Sequence, residues 1–257
     1  MKIVVGIKQV PQADSVKIDP QTNNLIRSGI QGVINPFDKN AIEAALRLRA
    51  QAGGEVILLS MVPDSYVTSL RDGLAMDADQ AVLVSSRALG GADTLATGYT
   101  LAKAIEAIGD VDLVLLGRQS VDADTGQVGP IVAAYLGLPQ VTFAESISLE
   151  SANTIIAKRQ LDTVIQDIKV TTPAVITVRS ELNWPRYETP VNIKQSFDKA
   201  VTVWSETDLN LDPEQIGQAG SPTKVTSVYA PEKKGRQTTT LPTDPTQAVV
   251  ELLNKLN

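Results

Sequence analysis

The residues best suited to hold a charged ligand lie in the chain's most polar loop, Gly117-Arg118-Gln119-Ser120-Val121-Asp122-Ala123-Asp124-Thr125-Gly126-Gln127-Val128-Gly129-Pro130. An apolar run precedes it and a helical pattern follows. Gly126 and Gly129 would let backbone N–H groups come close to an anion, and a helix N-terminus favours negative charge there. Arg118 adds a cation, and Asp122 or Asp124 can accept from a ribose hydroxyl. These groups suit a nucleotide; a plain turn with helix caps uses the same residues. The run Ser85-Ser86-Arg87-Ala88-Leu89-Gly90-Gly91-Ala92-Asp93-Thr94-Leu95-Ala96-Thr97 repeats the logic with glycines, a basic residue and hydroxyls at a helix start. Asp93 and Thr94 serve there as caps or as contacts. Asn35-Pro36-Phe37-Asp38 reads first as the turn into a helix. Asp77 and Asp79 read as solvated turn residues, and Lys233-Lys234-Gly235-Arg236 as a solvated basic loop. There is no Gly-x-x-x-x-Gly-Lys-[Ser/Thr] loop, and no Gly-x-Gly-x-x-Gly follows the first strand.

Several chemistries are absent from the composition. The 257 residues include no cysteine and no histidine. That excludes disulfides, cysteine–histidine zinc sites, iron–sulfur clusters on the chain's own cysteines, and nucleophiles activated by histidine. No imidazole is present to shuttle protons near neutral pH. A formal net charge of −6 argues against nucleic-acid binding. Redox or group-transfer chemistry would therefore come from a bound cofactor or a partner. No apolar run reaches the roughly 18 residues of a membrane span, and a lysine interrupts the first one at Lys2. A cytoplasmic, soluble chain with no direct membrane insertion is expected.

The elements that must position these loops follow from periodicity. Ile3–Ile7, Glu55–Met61, Ala81–Val84 and Val111–Gly117 are nearly continuous apolar runs, as in strands buried on both faces of a parallel sheet. Helices are expected between them. One starts near Pro36–Asp38, with Asp38 as candidate N-cap, and ends at Gly53-Gly54. Another runs from about Ser65 to Met76, capped by Asp64 or Ser65. A third follows Asp93 and a fourth starts near Gly129-Pro130. Such alternation predicts an α/β, Rossmann-like open, mostly parallel sheet. Val141–Leu149, Thr154–Arg159, Val164–Lys169 and Ala174–Arg179 have no helix between them and predict an antiparallel extension. Seven of the fourteen prolines lie at or beyond Pro185, which predicts an extended C-terminal arm. It closes in a helix after Asp244-Pro245, with Ala248, Val249, Leu252, Leu253 and Leu256 on one face. Trp184 and Trp204 are candidates to pack the arm onto a surface. Residues 1–195 are expected to form the nucleotide-binding domain and 196–257 the arm.

An ordered set of motifs resembles the electron transfer flavoprotein beta-subunit family: Lys2–Val10, Asn35-Pro36-Phe37-Asp38, Ala75-Met76-x-Ala78-Asp79, Asp112–Gln119, Gly137-Leu138-Pro139-Gln140, Asp162 through Pro173–Thr177, and Asn183-x-Pro185-Arg186-Tyr187. The resemblance implies a heterodimer with an alpha subunit that the arm and terminal helix embrace. It implies an electron-carrier chain with no catalytic residue and no metal. The family's nucleotide site matches Gly6, the turn at Asn35, Phe37 and Asp38, the strand end at Met61, and the loop containing Gln119, Asp122, Asp124, Thr125, Gly126, Gln127, Val128 and Gly129. Thr94 and Thr97 complete it on the pyrophosphate side.

Two kinds of site occur in that family. One holds AMP as a structural ligand, on a loop that typically reads Asp-Asp-Asp-x-Asn-Gln-Thr-Gly-Gln. The other holds FAD, on a loop resembling Asp-Gly-Asp-Thr-Ala-Gln-Val-Gly-Pro. Asp122-Ala123-Asp124-Thr125-Gly126-Gln127-Val128-Gly129-Pro130 is nearer the second, with Ala123 in place of glycine and Gly126 in place of alanine. FAD is thus the implied cofactor and AMP the alternative. Some FAD-type members take electrons from NADH and divide them between ferredoxin or flavodoxin and the alpha flavin, which is electron bifurcation. AMP-type members take electrons from flavin dehydrogenases such as acyl-CoA dehydrogenase, often through a leucine after Arg-Tyr-x-Thr. Here Arg186-Tyr187-Glu188-Thr189 is followed by Pro190 and Val191. A stand-alone ATP-binding α/β protein is the reading from outside the family.

Overall fold

The computed structural model of the protein describes residues 1–12, 17–18, 25–26, 32–63, 67–224, 226, 238 and 240–256. Its centre is β1 (Lys2–Gly6). A short excursion follows, in which β2 (Gln9–Pro11) pairs antiparallel with β5 (Gly32–Ile34), and β3 (Lys17–Ile18) with β4 (Leu25–Ile26). Then come α1 (Pro36–Ala52), β6 (Glu55–Met61), α2 (Val67–Ala75), β7 (Gln80–Val84), α3 (Thr94–Ile108), β8 (Leu113–Gly117) and α4 (Val128–Leu136). The second half contains β9 (Gln140–Ser151), β10 (Thr154–Gln160), β11 (Ile165–Thr171), β12 (Ala174–Val178), α5 (Pro190–Ser196), β13 (Val201–Trp204) and α6 (Pro245–Leu256). Nine strands form one sheet in the order β11-β10-β9-β12-β8-β1-β6-β7-β13.

The chain winds away from β1 in both directions. It goes through α1 to β6 and α2 to β7 on one side, and through α3 to β8 on the other. The order of strands therefore reverses between β1 and β8, where open α/β sheets bind ligands beyond the strands' carboxyl ends. Alternation along β1 serves two layers. Ile3 and Val5 join Ile42, Ala45 and Leu46 of α1 and Leu70 and Leu74 of α2. Val4 joins Tyr99 and Ile105 of α3 and Val132 of α4 on the opposite face.

The four apolar runs are strands of the parallel sheet within two residues of their expected bounds. Differences arise where long-range partners decide. Asn35, not Asp38, is the cap residue of α1, with Pro36 in the first turn. α4 begins at Val128, so Pro130 is its third residue. The expected caps Asp64 and Ser65, and the basic run 233–236, lie outside the described residues. β12 is not antiparallel: it lies between β9 and β8 and runs parallel to both. All five of its residues are buried, which suits a central strand. Within the nine-stranded sheet only β9, β10 and β11 pair antiparallel.

The stretch after Pro185 is less extended than expected. α5 starts from a Thr189 cap that accepts from Asn192 N, and β13 adds a parallel edge strand beside β7. Leu211 and Ile216 are then buried on the α3 face, and Asp212 N donates to the Tyr99 hydroxyl at 3.1 Å. Asp77 and Asp79 are not free turn residues, because both pair with Arg49 of α1, at 2.6 and 2.7 Å. Trp204 packs on the second core cluster, whereas Trp184 is 91% exposed and packs nothing onto the domain. No described helix is long and apolar enough to cross a membrane.

Candidate functional site

The carboxyl ends of β1 and β8 are tied together by one side chain. Asp38, in the first turn of α1, accepts from Lys8 N at 2.8 Å with Oδ2 and from Gly117 N at 3.1 Å with Oδ1. It is 6% exposed. Burial pushes its carboxyl from 3.8 up to about 7, outweighing the hydrogen bonds from Lys8, Asn35 and Gly117, which favour the charged form. The close approach of α1 requires glycine at 117, since a Cβ there would overlap Asp38 and Phe37. Asn35, 1% exposed, anchors the loop after β8: its Nδ2 donates to Gln119 O at 2.8 Å and its Oδ1 accepts from Val121 N at 3.2 Å.

The loop's carboxylates are engaged within the protein. Asp122 accepts from Lys8 Nζ at 2.8 Å. Partial burial works to raise its pKa, but the hydrogen bonds from Lys8 and Ser120 outweigh it and hold the group below the ordinary range. Asp124 accepts from Gln119 Nε2 and takes a positive φ of 56°, and Gly126 takes one of 65°. These left-handed residues fold the loop back toward α4. Gly6 sits at the end of β1, where a Cβ would lie 2.9 Å from Leu116 Cδ2. Met61 ends the neighbouring strand β6, half-buried against the second core cluster.

Two helix starts meet at the far end of the loop. Thr94 Oγ1, at the start of α3, donates to Gln127 Oε1 at 2.9 Å. They differ as anion sites. Asp93 caps α3, accepting from Leu95 N and Ala96 N, and also holds Thr223. Thr97 lies within that capped turn, its N–H donating to Asp93 O. Gln127 makes no side-chain cap on α4, so no carboxylate caps the first-turn N–H groups of Val128 and Gly129. Gly129 lets this helix start sit on the sheet, since a Cβ would overlap the Thr177 methyl. Thr125 is exposed on the loop between the two halves.

These groups gather around the crevice at the carboxyl ends of β1 and β8, with the start of α4 at one end and Asn35–Asp38 at the other. Residues 22–209 match the electron transfer flavoprotein domain family. A protein of Clostridium acetobutylicum named electron transfer flavoprotein subunit beta is 44% identical, over 92% of this chain and 90% of its own. The chain belongs to the electron transfer flavoprotein beta-subunit family. It is similarly related to the caffeyl-CoA reductase-Etf complex subunit CarD of Acetobacterium woodii (44% identical; 91% of this chain, 90% of that one). Protein FixA of Azorhizobium caulinodans is 39% identical over 93% of this chain and 88% of its own. Members of the family are flavoproteins that transfer electrons, and a beta subunit implies an alpha-subunit partner and electron-transfer partners.

An electron transfer flavoprotein beta subunit needs surfaces for such partners, and two apolar ones are exposed. On α6, Val249, Val250, Leu252 and Leu253 are all exposed. The second is the segment 184–197, which presents Trp184, Tyr187, Val191, Ile193 and Phe197. Its base is fixed to α1: Asn40 Nδ2 donates to Asn183 O at 2.8 Å, Asn183 Nδ2 donates to Asn40 O at 3.0 Å, and Arg186 pairs with the buried Glu43 at 2.7 Å. A cleft of about 490 Å³ between α2 and α5 adjoins it, lined by Arg71, Asp72 and Phe197 among others.

Three residues that touch this set were not among the candidates read from the sequence. Lys8 registered only as part of the first-strand motif. Phe143, whose ring faces Arg118, sits inside an apolar strand run and gives no signal. Thr177, under Gly129, reads as an ordinary strand residue.

Proposed function

We propose that this beta subunit holds FAD at the carboxyl edge of its sheet and passes electrons between NADH or a dehydrogenase and the FAD of its alpha subunit, with bifurcation as its mode. The observation that carries the reading is the loop Asp122–Pro130. Its sequence follows the FAD-type pattern, and its fold delivers an uncapped helix start at Val128 and Gly129 beside the β1/β8 switch point. Adenine would lie near Gly6, and the pyrophosphate near Thr94, Thr97 and Gln127–Gly129. When bound, FAD supplies the two-electron and one-electron redox chemistry that the chain's own side chains lack. The chain's residues act by position. Asn35 and Asp38 fix the loop, Lys8 holds Asp122 in it, and none of them needs to act as acid, base or nucleophile.

Residues 196–257 would supply the grip on the alpha subunit, ending in the apolar face of α6. The segment 184–197 would dock the electron donor or acceptor, with Pro190 in the place of the usual leucine and Val191 taking its role. A cytoplasmic heterodimer, with ferredoxin or flavodoxin as the second acceptor, completes the reading. The test is an anaerobic titration of the purified heterodimer with NADH, followed at flavin wavelengths. Bleaching of the flavin bands is expected; flavins that stay oxidised would remove NADH and bifurcation from the account.

A further inference from the structure

One cation at the crevice is held in place and left unspent. Arg118 follows β8 directly, and its Cζ lies 5.7 Å from the ring centroid of Phe37 and 5.5 Å from that of Phe143. Its backbone N–H donates to Val178 O, and its Nε donates to Gln119 Oε1 at 2.8 Å. Among the described residues nothing accepts from its two terminal nitrogens. Its cationic neighbours are otherwise engaged, Lys8 with Asp122 and Arg179 with Glu181.

The second ring is placed by a local irregularity of the sheet. Between β9 and β12 the register steps from Val141 opposite Ile176 to Ala144 opposite Val178, so Thr142 and Phe143 together face Thr177. Phe143 takes a φ of +59°, uncommon for an aromatic residue inside a strand, and its N–H donates to Thr177 Oγ1 at 3.2 Å. Bulges of this kind re-aim a side chain and are frequent beside functional sites. Here the bulge brings the ring to the guanidinium. Two aromatic neighbours and the Gln119 bond hold the guanidinium while leaving its two terminal nitrogens unspent, the geometry that suits a bidentate pair of anionic oxygens or an anionic ring edge.

We propose that Arg118 is the anion-contacting residue of this site, its terminal nitrogens receiving a negatively charged edge of the bound nucleotide. The proposal rests on the reading that a nucleotide occupies the crevice. Two parts of FAD carry such an edge: the phosphates, which AMP shares, and the pyrimidine edge of the reduced flavin ring, which AMP lacks.

The experiment uses the heterodimer stripped of nucleotide, with wild-type chain, Arg118→Gln and Arg118→Lys. Affinities for AMP and for FAD are measured by equilibrium dialysis, and the beta-chain flavin's potential after reloading. Thermal midpoints monitor folding, and Arg118→Lys, which keeps the charge, stands in should Arg118→Gln unfold. With a phosphate contact, Arg118→Gln weakens both nucleotides by about 10- to 100-fold and Arg118→Lys by less. With a ring-edge contact, AMP binds as to wild type, while the flavin potential falls by about 30 mV for each tenfold weaker hold on the two-electron-reduced form. Wild-type affinities and potential in Arg118→Gln would overturn the proposal and leave the proposed function standing. A wild-type complex whose beta chain takes up neither nucleotide would overturn both.

Discussion

Asp38 offers a sharp physical test, because its two demands conflict. Two backbone N–H groups point at its oxygens and favour the carboxylate, yet its burial favours the acid, and burial prevails, carrying the pKa from 3.8 to about 7. The native state therefore binds this proton more tightly than the unfolded chain does. Stability contributed by the group is complete below about pH 4 and is lost as pH rises toward and through 7. A shift of about 3 units at 1.36 kcal/mol each sets the loss at about 4 kcal/mol. Asp38→Asn removes the titration. The amide oxygen still accepts one N–H, while its NH₂ meets the other, so the variant pays about 1–3 kcal/mol at every pH for an unmatched donor. Urea unfolding followed by circular dichroism at pH 5 and pH 8 checks this. Wild type should lose stability relative to Asp38→Asn across that interval, by a few kcal/mol. Parallel pH profiles for the two proteins would refute the claim that burial governs this carboxyl.

Further outcomes follow from contacts elsewhere. Gly129→Ala places a methyl group into Thr177 and should cost about 1–3 kcal/mol of stability together with nucleotide retention. Adding Thr177→Ser, which removes the opposing methyl and keeps the hydroxyl that Phe143 uses, should recover most of the melting temperature, as a double-mutant cycle would show. Glu43→Gln weakens the buried hold on Arg186 and Arg47, so limited proteolysis should cut faster at 184–188, with a stability loss of about 1–3 kcal/mol. Ending the chain at residue 243 removes α6 and should leave the melting temperature of the sheet domain within about 2 °C. Co-purification with the alpha subunit should be lost.

Much of the sheet was legible because β1, β6, β7 and β8 are buried on both faces and so appear as unbroken apolar runs. Strand direction was not. β12 is an apolar run buried along its whole length, but it follows three strands with no helix between them, and only its place between β9 and β8 shows it to be parallel. β13 is a four-residue edge strand in a proline-rich stretch, too short to show a period. At the site, the glycines and the helix start of α4 could be read because they act locally. Asp38 looked like a cap because it stands where caps stand; its partners, Lys8 and Gly117, are 30 and 79 positions away. The Arg118 stack depends on a register step between two strands, which no local pattern carries. Asp77 and Asp79 likewise gained their partner, Arg49, only through packing of α1.

The central claim is that this beta chain holds a second FAD where part of its family holds AMP. Denaturing the purified heterodimer and separating the released nucleotides by chromatography tests it most directly. Two FAD and no AMP per heterodimer is the predicted result; one FAD and one AMP would contradict it.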